Sequence, residues 1–372
     1  MLALGAGYLT IVGVLRYRML VLPQPGGDHP VGRMMVTVPS GTADDAEPLR
    51  AAWIWYPADR NGFERAPRAE YAPAGWREGA LPPTLGLGWL LQDIRRVRPW
   101  AHAGAPVAPG RWPMIALVPG HATAPWMYTS LGEHLASRGY VAAILVPPTT
   151  PARVVDGRSR TNRSTDSPAP QQIDSLAEKQ AADLVSLYGA LGTDRVEQLA
   201  GHVDPDNVVF GGHSLGGMAA AIGCDRERRC IGSLNLDGPQ PPPRQENRLK
   251  PRLLIASYHS CVVTRPCDDR GLPEAHLDWL TRRYALSPPE WGAGITGAGH
   301  NSFGDPPFYF VAPPAGQLTG TGTLPADRVH AVLTTTVRAA ISSLRDTRNP
   351  PRVDQLVRDL PELEPLQTRP GP

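Results

Sequence analysis

The chain has 372 residues, enough for one large α/β domain or two small ones. Its net charge of +2 and the lack of any basic block leave nucleic acid outside the expected partners, and the basic residues are nearly all arginine, with lysine only at Lys179 and Lys250, a bias that reflects coding composition more than function. The 42 prolines and 38 glycines imply many turns and long loops rather than disorder, because strand and helix signals recur along the whole chain.

Residues 1–14 are almost wholly apolar and are followed by Arg16-Tyr17-Arg18 and a second apolar run, 19–22. The first run is short for a membrane span, which needs about 20 residues, and it lacks the basic start of a signal peptide. Residues 1–22 therefore read as an export segment or the remnant of a membrane anchor. The positive-inside rule places the two arginines in the cytoplasm. The cysteines argue the other way and carry more weight, so the catalytic domain is expected outside the cytoplasm, secreted or membrane-anchored.

A loop, LPQPGGDHPVG, precedes strands expected at 34–38 and 51–55. Residues 58–110 are rich in Pro, Gly and Arg, with a helix expected around 86–97, and read as an insertion over one end of the sheet. Next comes Met114-Ile115-Ala116-Leu117-Val118, a continuous apolar run that suits a strand buried on both faces of a parallel sheet. A helix over 127–138 and a strand over 140–146 complete a βαβ unit. Residues 149–169 read as a polar loop, in which Asn162-Arg163-Ser164 matches a weak glycosylation sequon.

Ile173, Leu176, Ala177, Leu184, Leu187 and Leu191 recur at helical spacing, predicting a helix over 171–191, with Gln180 as the stripe's one polar interruption. Further strands are expected at 207–210, 230–236, 252–257 and 293–296, and helices at 273–285 and 326–344. The tail, 346–372, is proline-rich and charged and reads as loosely attached. Strands alternating with helices define an α/β protein, with a mostly parallel central sheet and helices on both faces. The expected organisation is an apolar segment 1–22, a catalytic domain 23–345 and the tail.

Four cysteines fall in two close pairs, Cys224 with Cys230 and Cys261 with Cys267. They suggest two local disulfides and an oxidising compartment. A zinc site is poorly served by this spacing; free thiols and cross-pairing such as Cys224 with Cys261 stay open.

In a sheet of this kind ligands bind beyond the C-terminal strand ends. There the chain places Gly212-His213-Ser214-Leu215-Gly216, a G-x-S-x-G pattern between an apolar strand and a small-residue helix. This is the nucleophile elbow of the α/β-hydrolase fold. A serine hydroxyl is a weak nucleophile and needs a base, and the base needs a carboxylate to orient it, in the chain order Ser, acid, His. Of the histidines beyond Ser214, His276 and His330 fall inside helix patterns and His259 abuts the cysteine-bounded loop. His300, in the glycine-rich loop after the last strand, is where the base belongs. For the acid, Asp237 leaves an apolar strand directly and is preferred, with Asp268 or Asp269 as alternatives. The oxyanion hole is expected from the backbone N–H of Leu215 and one after Val118, where Gly120 and His121 stand. Trp126 and Tyr128 are candidates to line the acyl pocket, or simply to pack in the core. No metal or cofactor is called for.

With these residues in hand, the chain resembles the plasma-type platelet-activating factor acetylhydrolase family of serine esterases and lipases. The resemblance runs over most of 22–345. It is carried by LPQPGGDHPVG, WYPA, AHAGAPVAPGRWP, LGEHLASRGYVAA, DPDNVVFGGHSLGG, LNLDG and GAGHNSFGD. It implies Ser214 as nucleophile, Asp237 as acid, His300 as base and His121 as the second oxyanion donor. The family usually reads His-Gly where this chain has Pro119-Gly120, which alters the expected shape and polarity of the acyl pocket. The implied substrates are short-acyl esters, including sn-2 acetyl or oxidised phospholipids. That makes a lipid or small-molecule ester the expected partner and brings in membrane-surface association. An acyltransferase on the same triad, or a catalytically silent binding module, are the competing readings.

Overall fold

The structure is a computed structural model. It describes residues 2–43, 46–77, 87–162, 168–193, 195–242, 250–257, 274–287, 289–313, 319–345 and 353–366. Cys261, Cys267, His259, Asp268, Asp269 and the Arg163-Ser164 part of the sequon lie outside them.

Ten strands form the central sheet: β1 (Val31–Pro39), β2 (Leu49–Pro57), β3 (His102–Ala103), β4 (Trp112–Val118), β5 (Val141–Val146), β6 (Val203–His213), β7 (Cys230–Leu236), β8 (Arg252–Ser257), β9 (Trp291–Ile295) and β10 (Leu363–Pro365), in the spatial order β10-β9-β8-β7-β6-β4-β5-β2-β1-β3. The six from β5 to β9 in that order run parallel, while β2 and β10 are antiparallel to their parallel neighbours. The continuous apolar strands are continuous because both faces are covered. Alternate residues of one strand divide between two cores: Ile115 and Leu117 pack with Leu131, Leu135, Val332 and Val337, whereas Met114, Ala116 and Val118 pack with Leu184, Leu187 and Leu191. The first face is covered by helices α2 (Thr129–Ser137) and α6 (Ala326–Arg345), the second by α3 (Pro170–Leu191) and α4 (Leu215–Arg226); α5 spans Glu274–Leu286. Gln180 is buried on the α3 stripe. The α/β-hydrolase class expected from the sequence is the observed fold.

Four local expectations are corrected. Residues 86–97 form no α-helix; two single 3-10 turns, Leu87–Leu90 and Ile94–Arg96, stand there, between segments that pair with 16–22 and 310–312. Part of the supposed loop 149–169 is a hairpin, Ala152–Val155 against Arg158–Thr161, with Asp156-Gly157 both at positive φ in the turn. The tail is not loose between 353 and 366. It supplies a short helix, Val353–Asp359, and the edge strand β10, with Leu363 buried. Pairing covers an edge that β9 would otherwise expose, and a three-residue strand is too short to announce itself by periodicity. Lastly, the strand before the elbow begins at Val203 rather than at 207, with a register shift between Asp204 and Val208.

Cys224 at the end of α4 is disulfide-bonded to Cys230 at the start of β7. The N-terminal helix α1 spans Leu2–Arg16, and no helix among the described residues is long and apolar enough to cross a membrane.

Candidate active site

Strand β6 lies at the centre of the parallel strands, between β4 and β7, with His213 in register with Leu236 and Gly212 with Val118. The next residue of each strand therefore emerges at the same edge: Ser214 after β6, Asp237 after β7 and Pro119 after β4. Ser214 has φ +54° and ψ −126°, a conformation that L-residues rarely adopt. Its N–H donates to the Leu236 carbonyl at 2.8 Å, which fixes the turn to β7. The turn is so tight that a Cβ on Gly212 would lie 2.2 Å from the Gly216 carbonyl oxygen, and one on Gly216 would lie 2.1 Å from that of Val118. Both flanking positions of the motif thus exclude any side chain.

Asp237 also has positive φ, +55°, as does Ala122 in the loop after β4, at +52°. Three of the four non-glycine positive-φ residues among those described cluster at this one end of the sheet. The Asp237 carboxylate is buried and fully engaged: Oδ1 accepts from Ser257 N at 2.6 Å, and Oδ2 from Ser257 Oγ at 2.9 Å and from His300 Nδ1 at 2.7 Å. Ser257 ends β8 next door, and nothing in its own sequence neighbourhood distinguishes it. Its position at the C-terminal end of a neighbouring strand is the only signal that could have found it. With Nδ1 donating to Asp237, the tautomer that leaves Nε2 free to accept a proton is selected. Burial acts to lower the His300 pKa, but the hydrogen bond to Asp237 and its negative charge outweigh this, and the net direction is upward.

Leu215 is the first residue of α4, so its N–H has no intrahelical acceptor and lies at the positive end of the helix dipole. Across from it, the Gly120 N–H donates inward to the Tyr128 hydroxyl at 3.2 Å. Of the two positions that the sequence placed after Val118, this commits the Gly120 N–H to the interior.

Trp126 and Tyr128 are both buried, the core-packing alternative of their reading, and Tyr128 also lines a small cavity with Pro119 and His213. Trp126 is packed edge-on against Tyr71 with its Nε1 donating to the Trp76 carbonyl at 3.3 Å. Tyr128 is buried with its hydroxyl donating to His213 Nδ1 at 2.8 Å. Both stand on a single 3-10 turn, Pro125–Tyr128, in which Pro125, Trp126 and Tyr128 are buried.

Two further residues hold the histidine loop. His213, the variable residue of the motif, donates from Nε2 to the His300 carbonyl at 2.9 Å, and burial pushes its pKa down to about 3, so it is neutral. Asp305 is fully buried and accepts at Oδ1 from Ser130 N at 3.0 Å and at Oδ2 from Thr129 N at 3.2 Å and from Tyr71 OH at 2.7 Å; the Ser130 hydroxyl is a further donor. Asp305 caps the N-terminus of α2 from outside the helix and so bolts the His300 loop to the segment that follows the oxyanion loop. Sequence reasoning passed over both: the motif treats the residue before the serine as variable, and a cap reaching across 175 residues has no local signature. Among the described residues there is no cluster of side chains that could hold a metal ion.

Fold, site and structural likeness together define a carboxylic ester hydrolase of the α/β class. A ferulic acid esterase from Streptomyces cinnamoneus superposes with a TM-score of 0.75 at 26% sequence identity, over 94% of this chain and 99% of that one. No protein-family model and no curated protein matches the chain.

Proposed function

We propose that the protein is a serine ester hydrolase working through an acyl-enzyme, with Ser214 as nucleophile, His300 as general base and Asp237 as the residue that orients it. Ser214 Oγ attacks the ester carbonyl carbon while His300 Nε2 takes the hydroxyl proton. The carbonyl oxygen becomes an oxyanion held by the N–H groups of Leu215 and His121. Collapse of the tetrahedral intermediate breaks the bond to the alcohol, which leaves with the proton from His300. Water repeats the sequence on the acyl-enzyme, restoring Ser214 and releasing the acid. The observation that carries this reading is the coincidence of a positive-φ serine at a strand–helix turn with the 2.7 Å His300–Asp237 pair at the same sheet end.

The substrate class proposed is short-acyl esters, with the sn-2 acyl group of phospholipids as the lipid form. The run of motifs shared with platelet-activating factor acetylhydrolases supports it. A second reading, esters of aromatic acids such as ferulate, is favoured by the structural likeness to the Streptomyces esterase. Export of the domain is proposed on the Cys224–Cys230 disulfide.

The deciding experiment is initial rate on p-nitrophenyl esters from acetyl to palmitoyl, beside methyl ferulate and an sn-2 acetyl phospholipid, with Ser214→Ala as control. Acetyl and butyryl esters cleaved fastest, with loss of turnover in Ser214→Ala, is the expected result. Methyl ferulate as the best substrate would select the second reading. Equal rates in both proteins would remove Ser214 from the chemistry, and transfer to an added alcohol exceeding hydrolysis would make the protein an acyltransferase.

A further inference from the structure

Of the ten large apolar side chains left most exposed among the described residues, seven lie in 8–21: Tyr8, Leu9, Ile11, Val14, Tyr17, Met19 and Val21. An eighth, Trp89, stands on the 3-10 turn Leu87–Leu90, against which α1 packs. The concentration is not that of ordinary surface residues, which occur singly. Helix α1 carries no charge before Arg16, and its two polar side chains are satisfied by main-chain carbonyls: Thr10 Oγ1 donates to the Ala6 carbonyl at 2.9 Å, and Tyr8 donates to the Pro313 carbonyl. Only Val12 is driven into the domain, beside Leu90 and Ala312, while Leu9 at 56%, Ile11 at 59% and Val14 at 67% exposure face outward. A helix apolar on every side requires an apolar surrounding.

The rim of this patch is cationic. Arg16 and Arg18 end the helix, and the parallel pairing of Leu20 with Val97 and Val21 with Arg98 sets Arg95, Arg96 and Arg98 beside them. Among the described residues there Asp93 is buried and bound to Arg95, so that pair adds no net charge and Arg18, Arg96 and Arg98 carry the rim. Apolar side chains, an exposed tryptophan and tyrosines, and an arginine rim are the composition of an element that lies in the interface of an anionic bilayer.

We infer that α1 with Tyr17–Val21 and Trp89 is a docking surface for an anionic lipid bilayer. The segment under this surface is continuous in sequence with the site. The segment on which α1 rests, through Leu90 and Ala312 and the bond from Gln92 N to the Phe310 carbonyl at 2.7 Å, follows the His300 loop by about ten residues. This deepens the lipid-ester reading of the site but does not depend on turnover, because binding is measured separately.

The test is co-sedimentation of the full chain with vesicles of phosphatidylglycerol and phosphatidylcholine, and with phosphatidylcholine alone. The wild type is expected to bind the anionic vesicles, more weakly in high salt. The triple variant Leu9→Ser, Ile11→Ser, Val14→Ser is expected to lose binding about tenfold or more while cleaving a soluble p-nitrophenyl ester at the wild-type rate. Those side chains face outward, so an unchanged melting temperature verifies the fold. No binding by the wild type, or undiminished binding by the triple variant, overturns the inference. So does a wild-type dimer that ignores vesicles and becomes monomeric in the triple variant, which would make a second copy the occupant. Vesicle binding with no ester hydrolysis would leave this inference standing and remove the proposed function instead.

Discussion

His213 Nε2 donates to the main-chain carbonyl of His300 at 2.9 Å, while its Nδ1 accepts from the Tyr128 hydroxyl at 2.8 Å. Tyr128 in turn receives the Gly120 N–H. The ring also lies against Phe303, with centroids 5.7 Å apart. One buried imidazole thus ties the loop after β4 to the backbone of His300, the proposed base. Replacing His213 by Leu leaves the His300 carbonyl without its donor and frees the loop. The expected outcome is a fall in kcat of about tenfold to a hundredfold, from ~1–3 kcal/mol of lost positioning, with KM nearly unchanged. His213→Gln, which can still donate, should recover part of it. Tyr128→Phe removes the donor to His213 Nδ1 and the acceptor of the Gly120 N–H but keeps the His213–His300 bond, and should cost less. A lower melting temperature with normal kcat would assign His213 to stability alone.

The His300–Asp237 pair predicts the pH profile. The proposed base, His300, would work neutral, and its pKa is moved upward, so kcat/KM should rise with pH through an acidic limb centred above 6.5. Asp237→Asn removes both the charge and the tautomer selection. It should lower kcat by about 10³–10⁴ and move the limb downward. A limb centred well below 6.5 in the wild type would mean that the pair does not form in solution.

Buried neutral histidines predict acid lability. Burial lowers the pKa of His213 and of His134 to about 3 each, whereas in the unfolded chain both titrate near 6.5. The unfolded state therefore binds more protons below 6.5. Stability is complete above that pH and is lost as pH falls towards 3, by about 1.4 kcal/mol per pH unit for each group. His134→Gln should flatten the dependence of the urea midpoint between pH 6 and 4. A pH-independent midpoint in the wild type would contradict the buried neutral state.

The C-terminal strand predicts the effect of truncation. Leu363 and Leu366 are buried along β9, and Glu362 pairs with Arg328 of α6 through Arg328 Nη2 and Glu362 Oε2 at 2.7 Å. Ending the chain at Arg345 uncovers the β9 edge that leads to the His300 loop. A loss of about 3 kcal/mol or more is expected from the two leucines alone, with increased aggregation, read by thermal unfolding and light scattering. Wild-type behaviour of the truncated chain would show that the strand contributes nothing.

The sequence by itself determined the sheet and the elbow. Continuous apolar runs such as 114–118 can be buried only on both faces, and a serine between Gly212 and Gly216 at a strand–helix junction requires the turn observed at positive φ. It also placed Asp237 and His300 at strand ends, so that parallel order alone brought them to one edge. Only the tertiary structure decided what surrounds them. That Tyr128 turns inward to a histidine, that Ser257 and Asp305 steady the acid and the loop, and that 363–365 close the sheet edge are pairings across 20 to 175 residues. No local periodicity or propensity encodes them. They arise because buried donors and acceptors must find partners, and the partner is whichever strand end or helix terminus the fold brings near.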